Sequence, residues 1–541
     1  MKRNRIALAG LALLTAGTLA LAGCAGGDAA EPTESPEGDA AAIVTTNGSE
    51  PENPLIPTNT NEAGGGKILE QIFAGLIYYD GDGKIVNEMA DEIVIDDASH
   101  LTVTLKEGQT FSDGSPVTAE SFTKAWNYGA QLSNAQLNQS WFADIEGFSA
   151  DADSELTGLK VVDDLTFTIA LTAPVAADFV TRLGYNAYAP LPESAFEDMA
   201  AFGEHPIGNG PYKLASDAAW EHGVKIELVK NEDYTGGREV VNGGLTIVFY
   251  STLDAAYADL LAGNVDVIDA IPPSSLSAFQ DDLGDRAVNQ PAAIIQTFWI
   301  DMDMEHFTGE EGKLRRAAIS KAINRPEITK TIFSDTRTPA TDYTSPVLDG
   351  WSDSLEGADV LEYDPDEAKK LWAEADAISP WSGTFQIAVN TDGGHQEWAE
   401  AVCNSIKNTL GIEASPALYA DFAAIRTAIN DGSMKTAYRA GWQADYPGMY
   451  NFLQPIYGTG ASSNTGGYSN PEFDALLASG AAAQDSADAI ADYQKAQEIL
   501  LQDLPQIPMW YSNVTGGYAD TVSNVSFGWN SWPLYYEITK K

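Results

Sequence analysis

The sequence predicts a large mixed α/β fold, and three observations support this class. Segments with strand-like and helix-like patterns alternate along the chain, without a repeat period and without a clean linker. The 541 residues are 44% hydrophobic and only 20% charged, so the chain can bury a large core, which an acidic disordered polymer cannot do. The length fits roughly three or four ordinary domains, or one large interrupted fold.

Alternating apolar and polar residues predict the strands. The alternation is clear in LTVTL at 101–105 and in LTFTIAL at 165–171. The segment DGDG at 80–83 resembles the start of a calcium loop, but Lys84 and Ile85 occupy positions that need a ligand and a glycine. We therefore expect a hairpin turn at this segment. Further strands are predicted at 225–230, 245–250, 294–300 and 384–390.

Apolar residues at helical spacing predict the helices. The first apolar stripe covers 67–76, directly after a run of glycines that we interpret as the entry to a helix. Thr118 is predicted to cap a second helix, and Asp364 followed by Pro365 has the pattern of an N-cap with proline in the first turn. Further helices are predicted at 313–323, 395–410, 471–479 and 486–502.

The charge balance excludes one class of partner. Against 30 Lys and Arg stand 78 Asp and Glu, which gives a formal charge of −48. No nucleic acid partner is expected, because nothing resembles the basic patch that binds phosphates. With two cysteines and five scattered histidines, no metal site and no cofactor are predicted. Cys403 lies on an apolar helical stripe and is predicted to be a packed thiol.

The N-terminal segment has the order of an export signal. Three basic residues precede an apolar run over 6–21, which is too short for an ordinary transmembrane helix. The sequence LAGC at 21–24 resembles a bacterial lipobox, which implies removal of residues 1–23 as a lipoprotein signal peptide and a diacylglycerol on Cys24. Residues 24–42 are predicted to form a flexible acidic tether. We therefore expect the protein at the extracytoplasmic face of the bacterial cell membrane, anchored by its lipid.

Two common catalytic signatures are absent from the sequence. It contains neither the G-x-S-x-G elbow of serine hydrolases nor the H-E-x-x-H pair of zinc proteases. Carboxylate pairs suited to glycoside hydrolysis form in space and not at a fixed spacing. A tethered extracellular glycosidase or peptidase therefore stays open as an alternative.

Several segments, taken in order, resemble one protein family. The most specific are FSDGSPVTAESF within 101–128 and PIGNGPYKL at 206–214, accompanied by IFAGLIYYDGDGKIVNEMADE at 72–92 and YRAGWQADYPGMYNFLQP at 438–455. They resemble the extracytoplasmic solute-binding proteins of peptide ABC importers, the oligopeptide- and dipeptide-binding group. The resemblance covers essentially all of the chain that follows the predicted signal peptide.

This resemblance implies a two-lobed α/β clamp, the large peptide-binding type of periplasmic-binding protein, with an extra domain and discontinuous lobes. A ligand that bridges the lobes stabilises the closed form by the difference between its affinities for closed and open forms. No chemistry on the ligand is required, so no enzyme activity is expected. The predicted boundaries are 43–60, 206–290 and 508–541 for lobe I, 61–205 for the extra domain attached to it, and 291–507 for lobe II.

The segment RAGWQADY at 439–446 carries the centre of the predicted ligand site. The resemblance implies that Asp445 meets the α-ammonium of a peptide, in a charge-assisted hydrogen bond that replaces the water lost on enclosure. It also implies that the backbone at Gly441, Trp442 and Gln443 pairs with an extended ligand. Such strand addition recognises peptide backbone whatever the side chains, as a transporter of varied sequences requires.

Four more residues belong to the predicted site. Arg439 matches a position where the family has a basic residue able to meet a ligand carboxylate, and Tyr446 follows Asp445 directly. Trp510 and Tyr511 resemble a hinge strand that could face the cleft. Each site residue also has a purely structural alternative, such as a turn cap for Asp445 or a place in a lobe core for the tryptophans.

The predicted function is a lipid-anchored substrate-binding subunit of an ABC importer. It would capture extracellular oligopeptides in the cleft and deliver them to a separate permease and ATPase, and it is expected to be a monomer. An oligosaccharide or a metal chelate is the alternative cargo, because the many aromatic residues also suit saccharide stacking. Gly448 and Met449 stand where family members often have an acid and a proline, which leaves the preferred peptide length open.

Overall fold

The computed structural model describes residues 38–391, 395–420, 422–461 and 463–541, without the side chains of 422 and 423. The predicted signal peptide, the lipidation site Cys24 and the tether up to residue 37 lie outside the described residues. The last part of the predicted tether, 38–42, is attached to the folded body. The Asp39 N–H donates to the Lys540 carbonyl at 2.8 Å, and the Gly243 N–H donates to the Ala42 carbonyl at 2.9 Å.

The strands follow one another from residue 43 to residue 540. They are β1 Ile43–Gly48, β2 Ile77–Tyr79, β3 Ile85–Asn87, β4 Ala90–Asp97, β5 His100–Leu105, β6 Leu159–Asp163, β7 Thr166–Ala170, β8 Tyr212–Leu214, β9 Trp220–Glu221, β10 Lys225–Lys230, β11 Gly244–Phe249, β12 Val267–Ile268, β13 Ala287–Trp299, β14 Arg337–Pro339, β15 Thr384–Asn390, β16 Glu413–Tyr419, β17 Ala437–Gln443, β18 Gln506–Tyr518, β19 Val522–Ser523 and β20 Thr539–Lys540.

The helices are distributed between these strands along the chain. They are α1 Ala63–Ile72, α2 Ala119–Ala130, α3 Ala176–Arg182, α4 Met199–Glu204, α5 Leu253–Ala262, α6 Phe279–Leu283, α7 Gly309–Lys321, α8 Arg325–Phe333, α9 Pro365–Ile378, α10 Gln396–Leu410, α11 Phe422–Asn430, α12 Met449–Tyr457, α13 Pro471–Ala481 and α14 Ser486–Asp503.

A mixed sheet of twelve strands organises the described chain. Its order is β16-β15-β17-β13-β18-β12-β1-β11-β10-β8, with β14 beside β18 and β9 beside β10. β15 is parallel to both of its neighbours, as is β1, while β13 is antiparallel to both β17 and β18. A separate antiparallel sheet has the order β4-β5-β7-β6, and β2 and β3 form a hairpin.

The buried apolar side chains form two large cores. The first takes most of its members from residues 44–247, and the second takes its members from residues 298–510. β13 joins them, because Val288 packs against the first core and Phe298 belongs to the second. β18 does the same through Val514 and Ile507. Two antiparallel strands of thirteen residues each therefore connect the cores.

Many of the elements predicted from the sequence are confirmed. β10 covers 225–230 as predicted, and the turn at 80–83 joins β2 to β3. Thr118 caps α2 in a reciprocal capping box with Ser121. The Asp364 side chain accepts hydrogen bonds from the first backbone N–H groups of α9, so both cap predictions are confirmed.

The first helix differs from the prediction, since α1 ends at Ile72 and the predicted stripe reached residue 76. The PIGNGPY motif accounts for the difference. Its Asn209 side chain accepts from the Ala74 N–H at 3.0 Å and donates to the Ala74 carbonyl at 2.9 Å, which removes this residue from helical hydrogen bonding. Gly208 lies so close to α1 that an added Cβ would stand 1.8 Å from the Ile72 carbonyl oxygen. The motif therefore fixes the C-terminal end of α1.

Several further sequence predictions concern the described residues. Cys403 is buried with a free thiol, as predicted, and burial raises its pKa to about 12. Across the described parts of the chain, no helix has both the length and the apolar character needed to cross a membrane. Within the same residues, no group of three or more His, Cys, Asp or Glu side chains is arranged to hold a metal ion.

Candidate ligand-binding cavity

A cavity of about 480 Å³ lies where segments from distant parts of the sequence meet. Its wall is formed by the first helix and the loop before it, the loops at 184–186 and 529–532, the middle of β13 and the end of β17. Aromatic rings from Tyr79, Tyr185, Trp529 and Trp532 line it. The volume falls within the usual range for small-molecule sites.

The end of β17 brings Asp445 to this cavity. β17 pairs with β13 from Tyr438 to Gln443, and the Ala444 N–H then donates to the Ala293 carbonyl at 2.9 Å. Gly441 allows the close approach of the two strands, because an added Cβ would lie 2.7 Å from the Ile295 carbonyl oxygen. Asp445 is the first residue beyond this pairing, and its side chain lines the cavity.

Asn451, in the first turn of α12, fixes the position of Asp445. Its Nδ2 donates to the Asp445 Oδ2 at 3.0 Å, and its Oδ1 accepts from the Asp445 backbone N–H at 3.0 Å. The same Oδ1 accepts from the Trp442 indole N–H at 3.0 Å. Asn451 is only 5% exposed, so these bonds are sheltered from water. The residue lies within the segment 438–455, but the sequence analysis assigned it no role.

Asp445 is exposed as a residue, but its carboxyl is only partly hydrated. The residue as a whole is exposed, yet the surrounding wall withdraws water from its carboxyl, which raises the pKa above its usual value. The hydrogen bond from Asn451 acts in the opposite direction. Burial, and after it the charge of Asp445, raises the pKa of Tyr185 to about 12. The phenol of Tyr185 thus stays neutral at physiological pH.

A second carboxyl, that of Glu70 on α1, lines the same cavity. Burial is the main cause that raises its pKa to about 7, and the neighbouring carboxylate of Glu88 adds to the effect. The charge of Arg238 and a hydrogen bond from Asn530, with Nδ2 3.3 Å from the Glu70 Oε2, act against this rise. Sequence reasoning missed Glu70, because neither its position on an amphipathic helix nor its neighbours distinguish it from a surface glutamate.

The comparison with protein families decides the assignment. Residues 84–464, more than half of the chain, match the family model described as bacterial extracellular solute-binding proteins, family 5 Middle. The chain belongs to this family. Membership confirms the predicted resemblance and the prediction of a binding protein instead of an enzyme.

Curated relatives of this solute-binding protein match over nearly their whole length. The oligopeptide-binding protein OppA of Bacillus subtilis is 24% identical over 487 residues, covering 86% of each chain. The periplasmic oligopeptide-binding protein OppA of Escherichia coli is 26% identical over 530 residues, covering 94% of this chain and 93% of the relative.

Solved structures share the fold of the solute-binding protein. The unliganded open form of the periplasmic murein tripeptide binding protein MppA superimposes with a TM-score of 0.81 at 22% identity, covering 93% of this chain and 99% of the other. Haemophilus influenzae OppA in complex with the peptide RPPGFSPFR gives 0.63 at 23% identity, with the same coverage. These matches confirm the predicted α/β clamp class.

The predicted site residues of the solute-binding protein fall into two groups. Gln443 and Asp445 line the cavity, and Gly441 and Trp442 lie next to them on β17. Trp442 is half-buried and donates to Asn451. Arg439, farther back on the strand, donates from Nε to the Asn390 side chain and is not among the residues that line this cavity.

The remaining predicted contacts lie in packed surroundings and not on the cavity wall. Tyr446 is buried, and its hydroxyl donates to Asp178 at 2.8 Å. Trp510 is 1% exposed and packs against Trp398, with ring centres 5.6 Å apart. The Tyr511 hydroxyl donates to a buried aspartate, Asp342, at 2.7 Å.

Proposed function

We propose that this solute-binding protein is the lipid-anchored, monomeric substrate-binding subunit of an ABC importer, which captures extracellular oligopeptides and delivers them to a permease and ATPase pair. Support for the peptide cargo comes from the relatives described as oligopeptide-binding proteins. Support for the anchor is the lipobox-like segment at 21–24. The observation that carries the proposal is the Asp445 carboxylate, held by Asn451 at the wall of the cavity.

The cavity offers the two interactions that an extended peptide requires. Asp445 supplies a fixed acceptor for the α-ammonium group. Among the described residues, the ladder between β17 and β15 includes Ala437 and Tyr438, and positions 441–443 lie beyond it. We propose that peptide backbone adds to the edge of β17 at 441–443. Residues 439, 446, 510 and 511 would then contribute to the packing around the site and would not contact the ligand directly.

The predicted lobe boundaries are part of the same proposal. Lobe I and its extra domain would contain the first apolar core, and lobe II would contain the second apart from Met509 and Trp510, which lie just beyond its predicted end. The chain would cross between the lobes along β13 and β18. A ligand that contacts both sides of the cavity then favours closure by its differential affinity for the closed form.

Replacing Asp445 tests the proposed peptide site. We expect Asp445→Ala to weaken binding of peptides with a free amino terminus by about tenfold or more, because a desolvated ammonium loses its counter-ion. N-acetylated peptides should lose little affinity. Titration calorimetry with matched free and acetylated tripeptides measures the difference.

A matched control separates the site from the overall charge of the protein. Asp217 is exposed, and Asp217→Ala removes one negative charge from the surface, so it should leave both affinities unchanged. Equal losses for free and acetylated peptides in Asp445→Ala would contradict the proposed role. Mass spectrometry of ligand released by denaturation identifies the natural cargo, and a saccharide or metal chelate in place of peptides would overturn the peptide assignment.

A further inference from the structure

The charged side chains on the described wall of the cavity are all acidic. Among the described residues that line it, Glu62, Glu70 and Asp445 carry carboxyl groups, and none is Lys, Arg or His. Glu62 already caps α1, since its Oε1 accepts from the Gly65 N–H at 2.7 Å. Glu70 and Asp445 differ from it, because each accepts a hydrogen bond from a side-chain amide and neither caps a helix.

The guanidinium of Arg238, whose charge acts on Glu70, donates hydrogen bonds to other partners. The Arg238 guanidinium donates from Nε to the Glu88 carboxylate at 2.6 Å. Its other nitrogens donate to the backbone carbonyls of Glu70 and Phe73. Two carboxyls thus share one guanidinium, and when both are ionised the group has a net charge of −1.

The ammonium of Lys67, three residues before Glu70 on α1, is paired with the carboxylate of Asp269. Three further titratable groups near Glu70 are the phenols of Tyr79, Tyr535 and Tyr536, and burial raises the pKa of each. All three stay neutral at physiological pH. The side-chain partner of the Glu70 carboxyl is the neutral amide of Asn530.

In this arrangement, a positively charged ligand group can stabilise the ionised carboxyl of Glu70. The carboxyl of Glu70 is poorly hydrated and has no cation of its own, so its ionised form is destabilised. A positive group placed in the cavity would stabilise that form, and the low local dielectric would make the interaction stronger than on an open surface. A ligand carboxylate at the same place would be repelled.

We infer that Glu70 is a specificity-determining residue, which selects peptides carrying a Lys or Arg side chain in addition to the α-ammonium group that meets Asp445. The inference rests on the proposed peptide-binding function. It assigns one carboxyl to each positive charge, on separate parts of the cavity wall.

Matched tripeptides test the inference. The set consists of trialanine with lysine introduced at each of the three positions in turn, together with the same peptides carrying norleucine, which has no charge. In wild-type protein, at least one lysine peptide should bind about tenfold more tightly than its norleucine counterpart. Glu70→Gln should bring this ratio close to one, because the neutral amide no longer favours the charged lysine side chain over norleucine. Glu107 is exposed, and the control Glu107→Gln should keep the ratio.

Proton exchange provides a second readout that needs no variant. Since the pKa of Glu70 is raised to about 7, a cation that binds beside it should displace a proton near neutral pH. Calorimetry in two buffers of different ionisation enthalpy should then show more proton release for the lysine peptide than for its norleucine counterpart. The lysine-to-norleucine affinity ratio should rise from about pH 6 to about pH 8, since the α-amino titration is common to both peptides.

The outcomes separate this inference from the proposed function. If wild-type protein binds all peptides of the set equally well, or if Glu70→Gln keeps the lysine preference, the role of Glu70 is wrong and peptide binding stands. If wild-type protein binds none of the peptides, the proposed function fails and the inference fails with it.

Discussion

Asn451 shows how one buried amide can organise a binding residue. It bonds both the backbone and the carboxyl of Asp445 and the indole of Trp442, three groups that would otherwise lack these partners. A carboxylate held in this way loses little conformational entropy when a ligand arrives. The sequence could not identify this role, because the partners become neighbours only when β17 and α12 fold against each other.

We expect Asn451→Ala to weaken binding of free-amino tripeptides about tenfold, because Asp445 would lose its fixed orientation. The loss should be smaller for N-acetylated peptides. Calorimetry measures both affinities, and a urea titration should show a stability loss of about 1–3 kcal/mol from the unpaired groups. Unchanged selectivity for the free amino terminus, with only the stability reduced, would show that Asn451 does not position Asp445.

At the scale of the elements, PIGNGPY contacts the end of α1 at Ile72, two residues beyond Glu70 on the same helix. Gly208 presses against the last residue of the helix, with no space for a Cβ. We expect Gly208→Ala to destabilise the protein by about 1–3 kcal/mol, the usual cost of overpacking. Urea unfolding measures this change. Wild-type stability together with wild-type peptide affinity would show that this contact does not constrain α1.

The sequence predicted local elements better than the connections between them. β10, the cap at Thr118 and the turn at 80–83 follow from patterns within a few residues. β13 begins at residue 287 but was predicted only from 294, since its first half has no regular apolar alternation and contains Pro291. The cavity combines segments separated by hundreds of residues, so Asp445 could be proposed only through family resemblance and Glu70 not at all.

At the scale of the whole molecule, both the net charge of −48 and the acidic cavity wall favour positively charged peptides. A field of this sign draws cations toward the surface and is screened by salt. The carboxyls of Glu70 and Asp445 act at short range, where screening is weaker. A preference for positively charged peptides that survives at high salt would therefore come from the cavity wall and not from the surface as a whole.

The contact between Asp39 and Lys540 brings the two ends of the folded body together. The backbone hydrogen bond of 2.8 Å is accompanied by a salt bridge from the Lys540 ammonium to Asp266. A short glycine-rich linker could thus join residue 540 to residue 39, with new ends opened at the exposed turn around Gly223. We expect such a circular permutant to fold and to bind the same peptides, as circular dichroism and calorimetry would show. Failure to fold would indicate that chain order is required for assembly.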